Sequence, residues 1–109
     1  VVHLTGKGLG GRNQEIALGA AEGIAGLTNA ALISIGSDGT DGPTDAAGGY
    51  VDSDTYGTLL KEGIVPSKIL AENNAYHALK AVDCLVFTGP TGTNVNDITV
   101  ALLGNGMKE

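Results

Sequence analysis

Arg12 is the only arginine in the chain, and it stands where a glycine-rich run meets a helix-forming stretch: Gly6-Lys7-Gly8-Leu9-Gly10-Gly11-Arg12-Asn13-Gln14-Glu15. A guanidinium carries planar, fixed donors that suit a carboxylate or a phosphate, and glycines let backbone approach such a ligand closely. A helix starting at Arg12 would aim free N–H groups and its positive dipole end at the same spot. Gly10, Gly11, Arg12 and Asn13 are therefore candidates for holding an anion.

A second group lies in Ser37-Asp38-Gly39-Thr40-Asp41-Gly42-Pro43-Thr44-Asp45, with three carboxylates in close succession. Oxygen ligands this dense suit Mg²⁺, which takes one or two carboxylates plus substrate phosphates. Asp38 and Asp41 are the candidate metal ligands, with Ser37, Gly39 and Thr40 beside them as phosphate or substrate contacts. The same aspartates could instead close Asx-turns or cap a helix. A third loop, around Thr91, Gly92, Thr93, Asn94 and Asn96, is rich in short hydrogen-bonding side chains. Those could meet a phosphate or substrate hydroxyls, or satisfy their own loop.

Other chemistries find less support. Gly6 to Gly11 spells GxGxxG, the dinucleotide fingerprint, with Asp38 as the ribose-holding acid. However, Asp38 follows Gly11 by 27 residues, whereas the fingerprint places its acid ~20 residues on. Arg12 and Asn13 also fill a helical turn where that motif wants small residues. Lys7 is followed by Gly8 rather than Ser or Thr, so there is no Walker A loop. His3 and His77 stand alone, without zinc spacing. Ser37 lacks a histidine partner, and Cys84 sits in an apolar run without a flanking base.

The elements that must position these loops read as an alternation. Residues 1–5, 31–35, 84–88 and 98–103 read as strands, and 46–51 is ambiguous. Residues 12–25 carry an apolar stripe of helical period, in which Gly19 and Gly23 would allow close packing on a sheet. Residues 55–62 follow Asp54 as N-cap, 67–71 follow Pro66 at a first helical position, and 75–82 form a further piece. This order predicts an α/β fold: three layers, a mainly parallel sheet and helices on both faces. The last two strands are joined by a loop too short for a crossover helix, which predicts an antiparallel C-terminal pair. Each polar loop follows a strand, so all three are expected at one sheet edge, where such folds gather ligands.

Composition bounds the partners. The 109 residues predict a single domain, and 42% apolar residues can fill a core built from small aliphatics, with no Trp and one Phe. A net charge of −6 with one arginine disfavours nucleic acid and anionic membranes. The apolar runs are short and broken, so neither a signal peptide nor a membrane span is expected, and a cytoplasmic protein is. The lone Cys84 predicts a buried thiol. An opening of Val1-Val2-His3-Leu4, without Met, suggests a piece of a longer protein.

Three stretches occur in an order that resembles a known family: Gly10-Gly11-Arg12-Asn13-Gln14-Glu15; Ser37-Asp38-Gly39-Thr40-Asp41-Gly42-Pro43-Thr44-Asp45-Ala46-Ala47-Gly48-Gly49; and Thr88-Gly89-Pro90-Thr91-Gly92-Thr93-Asn94-Val95-Asn96-Asp97. They are similar to the C-terminal MOFRL domain of the glycerate 2-kinases, proteins often labelled hydroxypyruvate reductases. Leu70-Ala71-Glu72-Asn73-Asn74-Ala75-Tyr76 also fits, although the family more often has Asp where Asn74 stands. The resemblance implies a two-domain enzyme that uses ATP and Mg²⁺ to phosphorylate the 2-hydroxyl of glycerate. It implies a cleft between this domain and a larger N-terminal one that holds an essential lysine, and a separate chain with little turnover. Arg12 matches the family's implicated arginine, and Asp38 is a second catalytic candidate. The alternatives are an NAD(P)H-dependent hydroxypyruvate reductase and a non-catalytic structural module.

Overall fold

The computed structural model describes residues 9–89 and 97–103. Within them run α1 (Arg12–Ile24), β1 (Ala30–Gly36), β2 (Gly48–Asp52), α2 (Thr55–Lys61), α3 (Pro66–Ala71), α4 (Ala75–Ala81), β3 (Leu85–Val86) and β4 (Asp97–Leu103). The expected strand over 1–5 lies outside the described residues.

The helices form where their sequence signals put them. Pro66 opens α3 at its first turn, where a missing N–H costs nothing. Asp54 precedes α2 as expected but makes no side-chain cap; instead Asp52 Oδ1 accepts the Asp54 N–H at 2.9 Å and the Thr55 hydroxyl at 3.2 Å. All four helices pack into one apolar cluster. Ala17, Leu18 and Ala21 of α1 meet Val51 of β2, Leu59 of α2 and Ala75, Ala78 and Leu79 of α4, with Ile69 and Leu70 of α3 against them.

The sheet corrects the expected architecture. It has four strands in the order β3-β2-β1-β4, and every pairing is antiparallel. The ambiguous stretch 46–51 hides β2, and the connection from β1 to β2 contains no helix, so these strands pair as neighbours running in opposite directions. The final two strands do not pair with each other. β3 lies on the outer edge of β2 and β4 on that of β1. The ten residues between them reach up to ~33 Å when extended, against about 14 Å for three strand spacings. A short connection therefore does not dictate a hairpin.

Three layers are not found among the described residues. Leu32 pairs with Val51 on the face the helices cover. On the opposite face Ile33 aligns with Tyr50 and Val100, which stay exposed, as do Ile98 and Leu102. β4 is exposed along its whole length, because α1 lies across β1 and β2.

Two strand glycines permit close approach, Gly48 to the neighbouring strand and Gly49 to the helices. A Cβ on Gly48 would collide with the Ser34 carbonyl oxygen, and one on Gly49 would lie 2.8 Å from Leu79 Cδ1 and 3.0 Å from Ala17 Cβ. The helical glycines do no such work. Nothing stands within 4 Å of a Cβ on Gly23, and on Gly19 it would meet only Leu70 in ordinary contact.

Candidate functional site at the head of helix α1

The N-terminus of α1 carries no cap of its own, since its N-cap residue is Gly11. Asp41 reaches in from the loop after β1 and supplies one. Its Oδ1 accepts the Asn13 N–H at 3.0 Å and its Oδ2 the Gln14 N–H at 2.8 Å. These are the second and third helical N–H groups, the ones an N-cap side chain normally takes. Asn13 Nδ2 adds a third bond to Oδ1 at 3.2 Å, and the carboxylate is buried. The negative charge also sits at the positive end of the helix dipole.

This revises the role of the glycines. A Cβ on Gly11 would stand 2.5 Å from Asp41, and one on Gly42 would lie 2.7 Å from the Gly10 carbonyl oxygen. Gly42 also has φ +63°, a left-handed conformation that favours glycine. The glycines at this junction admit the protein's own loop. Two of the helix N–H groups expected to be free for a ligand, those of Asn13 and Gln14, are already engaged by Asp41.

The segment 70–76 anchors the residues before the helix. Asn74 Oδ1 accepts the Leu9 N–H at 3.1 Å, and the Tyr76 N–H donates to the Leu9 carbonyl at 2.9 Å. An aspartate at position 74 would offer the same acceptor, so asparagine there preserves the contact. Asn73 Nδ2 donates to Glu15 at 2.9 Å.

Beneath the helix head lies a buried polar group. Ser34 of β1 donates its hydroxyl proton to Asn13 Oδ1 at 2.6 Å and stands 2.8 Å from Thr99 Oγ1 on β4. Asn13 Nδ2 in turn donates to Asp97 Oδ1 at 3.1 Å. Asp97 Oδ2 pairs with the Arg12 guanidinium, which is otherwise solvent-facing. Asn13, expected to touch a ligand, is 1% exposed and spends its amide on this network.

Above the network opens a cleft of about 340 Å³, lined by Gly10, Gly11, Arg12, Glu15, Asp38, Thr40, Asp41, Gly42, Pro43 and Asp97. That is within the size range of small-molecule sites. The first two motif groups thus meet, and Asp97, the last residue of the third motif, joins them. Asp38 is exposed at the rim, its Oδ1 accepting the Thr40 N–H at 3.1 Å and the Thr40 hydroxyl at 3.3 Å. Gly39, at φ +94°, donates its N–H to the Gly36 carbonyl and closes the turn. Ser37 lies in the same turn but is not among the lining residues. Thr91, Gly92, Thr93, Asn94 and Asn96 lie outside the described residues.

The cleft is electrostatically lopsided, with four carboxylates around one guanidinium. An anionic ligand there needs a cation with it. Among the described residues no group of three or more His, Cys, Asp and Glu side chains is arranged to hold a metal by itself. Asp41 does not fit the metal role expected for it, because helix donors occupy both oxygens. Asp38 keeps an exposed carboxylate and does fit. Asp97 and Thr99 were missed by sequence reasoning; the signal available for Asp97 was its place at the end of the third motif.

A larger hollow, of about 580 Å³, sits at the opposite end of β1 among Leu27, Asn29, Tyr50, Asp52 and Leu102. No cationic side chain lines it, and Asp52 is spent on the turn before α2. Cys84 is half-buried, and loss of solvent pushes its thiol pKa up, which argues against a nucleophile.

The fold and cleft define an α/β domain that offers a single arginine and several carboxylates at the head of a helix. The MOFRL family model matches residues 1–97, and the chain belongs to that family. It is 54% identical over 103 residues to the D-glycerate 2-kinase of Thermotoga maritima and 55% identical over 103 residues to the glycerate 2-kinase of Pyrococcus horikoshii. Each match covers 94% of this chain but only 25% and 23% of the relative, so the chain spans about a quarter of their length. A crystal structure of glycerate kinase from T. maritima superposes with a TM-score of 0.90 over 94% of this chain and 25% of its own, at 54% identity. An Agrobacterium vitis protein with the words hydroxypyruvate reductase in its name is 45% identical over 98 residues, covering 90% of this chain and 26% of that protein. No described helix is long and apolar enough to cross a membrane.

Proposed function

We propose that this chain serves as the C-terminal part of a glycerate kinase, forming one wall of a cleft in which ATP phosphorylates the 2-hydroxyl of glycerate. The observation that carries this reading is the cleft at the head of α1, where Arg12 faces Asp38 and Asp97. Phosphoryl transfer depends on positioning and charge neutralisation rather than on a protein nucleophile. Arg12 supplies the guanidinium that binds the glycerate carboxylate or the transferring phosphoryl group. Asp38, with the nucleotide phosphates, would hold Mg²⁺, which neutralises phosphate charge when bound. The rest of the polypeptide contributes the opposite wall, with Thr91, Thr93 and Asn94 as further candidates for contacts to phosphate or substrate hydroxyls. Alone, the chain lacks that second wall and turns over little substrate.

The reductase alternative is disfavoured by the helix head. A dinucleotide pyrophosphate would need the α1 N–H groups that Asp41 occupies. The test is to replace the C-terminal quarter of the T. maritima enzyme with this chain. D-glycerate-dependent ADP release is expected, without NAD(P)H oxidation on hydroxypyruvate. NAD(P)H oxidation without ADP release would refute the proposal.

A further inference from the structure

The hydrogen bonds beneath the cleft have a direction fixed by proton counting. Asn13 Nδ2 faces two carboxylates, Asp41 and Asp97, so it must be the donor there and Oδ1 must point at Ser34. An asparagine oxygen only accepts, so the single Ser34 proton goes to Asn13. The Ser34 oxygen is then left as an acceptor for the Thr99 hydroxyl 2.8 Å away. One directed chain follows: Thr99 to Ser34, Ser34 to Asn13, Asn13 to Asp97, with Asp97 Oδ2 left to the guanidinium of Arg12.

We infer that Ser34 and Thr99 are positioning residues, which touch no ligand but, through Asn13, orient Asp97 and with it Arg12. Asp97 is the only partner that holds the Arg12 side chain among the described residues, and that side chain is 68% exposed. Without a fixed Asp97, Arg12 would sample many rotamers, and an anion binding it would bear the entropy of ordering it. The hydroxyls thus preorganise the arginine, with Ser34 buried at 0% exposure beneath it. That Arg12 meets substrate rests on the proposed kinase function; that the chain of hydroxyls holds Arg12 does not.

Because Arg12 is the sole arginine, the ¹⁵N-labelled chain gives one arginine Nε–Hε resonance, which reports the ordering of the guanidinium whose Nη nitrogen bonds Asp97. Asp97→Asn supplies the reference position for a released guanidinium. Thr99 is exposed on an edge strand, so Thr99→Val, which exchanges the hydroxyl for a methyl, is expected to leave the fold intact. Thr99→Val and Ser34→Ala are expected to move the Arg12 resonance toward the Asp97→Asn position, and Thr99→Ser to leave it unchanged. If Thr99→Val leaves the resonance in place, or Thr99→Ser moves it as far as Val does, the inference is wrong. Should Ser34→Ala fail to fold, the Thr99 pair alone decides. In the chimeric kinase, loss of one such hydrogen bond predicts a rise in KM for glycerate of roughly two- to tenfold for Thr99→Val. The rise should vanish in an Arg12→Ala background, since the two changes act through one group. An undiminished effect in that background overturns the inference, while a chimera with no kinase activity sinks the functional reading and leaves the resonance test standing.

Discussion

Replacing Asp41 with asparagine tests the central feature of the site, a helix whose cap comes from a loop almost thirty residues away in sequence. Asparagine keeps the shape and one oxygen, which can retain the bonds from Asn13. The other oxygen becomes an NH₂ group directed at the Gln14 N–H, which loses its acceptor in a buried place. Stranding a buried donor that had bonded to a charged group costs about 1.5–3 kcal/mol. Losing the negative charge at the helix N-terminus adds about 0.5–1 kcal/mol. The sum, about 2–4 kcal/mol, is a large share of the 5–15 kcal/mol that holds a typical domain together. Urea unfolding followed by circular dichroism would read it as a lower midpoint, with Asp38→Asn as the control. Asp38 is exposed and bonds only within its own turn, so its change should stay within about 0.5 kcal/mol. If Asp41→Asn is as mild as Asp38→Asn, Asp41 is not the cap and remains free to serve a ligand.

Two further outcomes follow from burial and space. Gly23→Ala should stabilise the chain by about 0.5–1 kcal/mol, because no atom crowds the new methyl, whereas Gly48→Ala should prevent the β1–β2 register from closing; paired thermal melts compare them. Cys84 should react with iodoacetamide at pH 8 more slowly than in the urea-unfolded chain, because burial raises its thiol pKa above the ordinary thiol value. The sign follows: the neutral thiol is favoured in the fold, so its stabilising effect is complete below the unfolded pKa and fades as pH rises through the folded one. Equal native and unfolded alkylation rates would contradict the burial argument.

The helices were legible because their signals are local. Pro66 at the start of α3 and the apolar stripe of α1 act within a few residues, and both helices lie within one or two positions of the expected boundaries. The sheet was less legible. Gly48 and Gly49 are poor strand residues by propensity, and they concealed β2; they are there because the Ser34 carbonyl, Ala17 and Leu79 leave no room for a side chain. Once β2 was missed, the alternation of strands and helices pointed to a parallel sheet. At the site, residue type revealed the gathering of Arg12 with the aspartate loop, but not the division of labour. Asp38 and Asp41 look alike in sequence, and only burial against α1 makes one of them a cap.

The pairing of β4 with β1 has a consequence for the order in which the molecule is built. Gly36 waits for Asp97 and Ala30 for Leu103, so β1 keeps an open edge until residues 97–103 have been made. Synthesis delivers the N-terminal side first. The cap on α1 and the β1–β2 pair can form early, whereas Arg12 gains its partner only when residue 97 arrives. Closing so long a loop is slow relative to local contacts. Among the described residues β4 is thus both the strand that closes the edge of β1 and the piece that fixes the arginine, and a chain interrupted before it would leave the ribosome with a capped helix, a naked strand edge and an Arg12 without its partner.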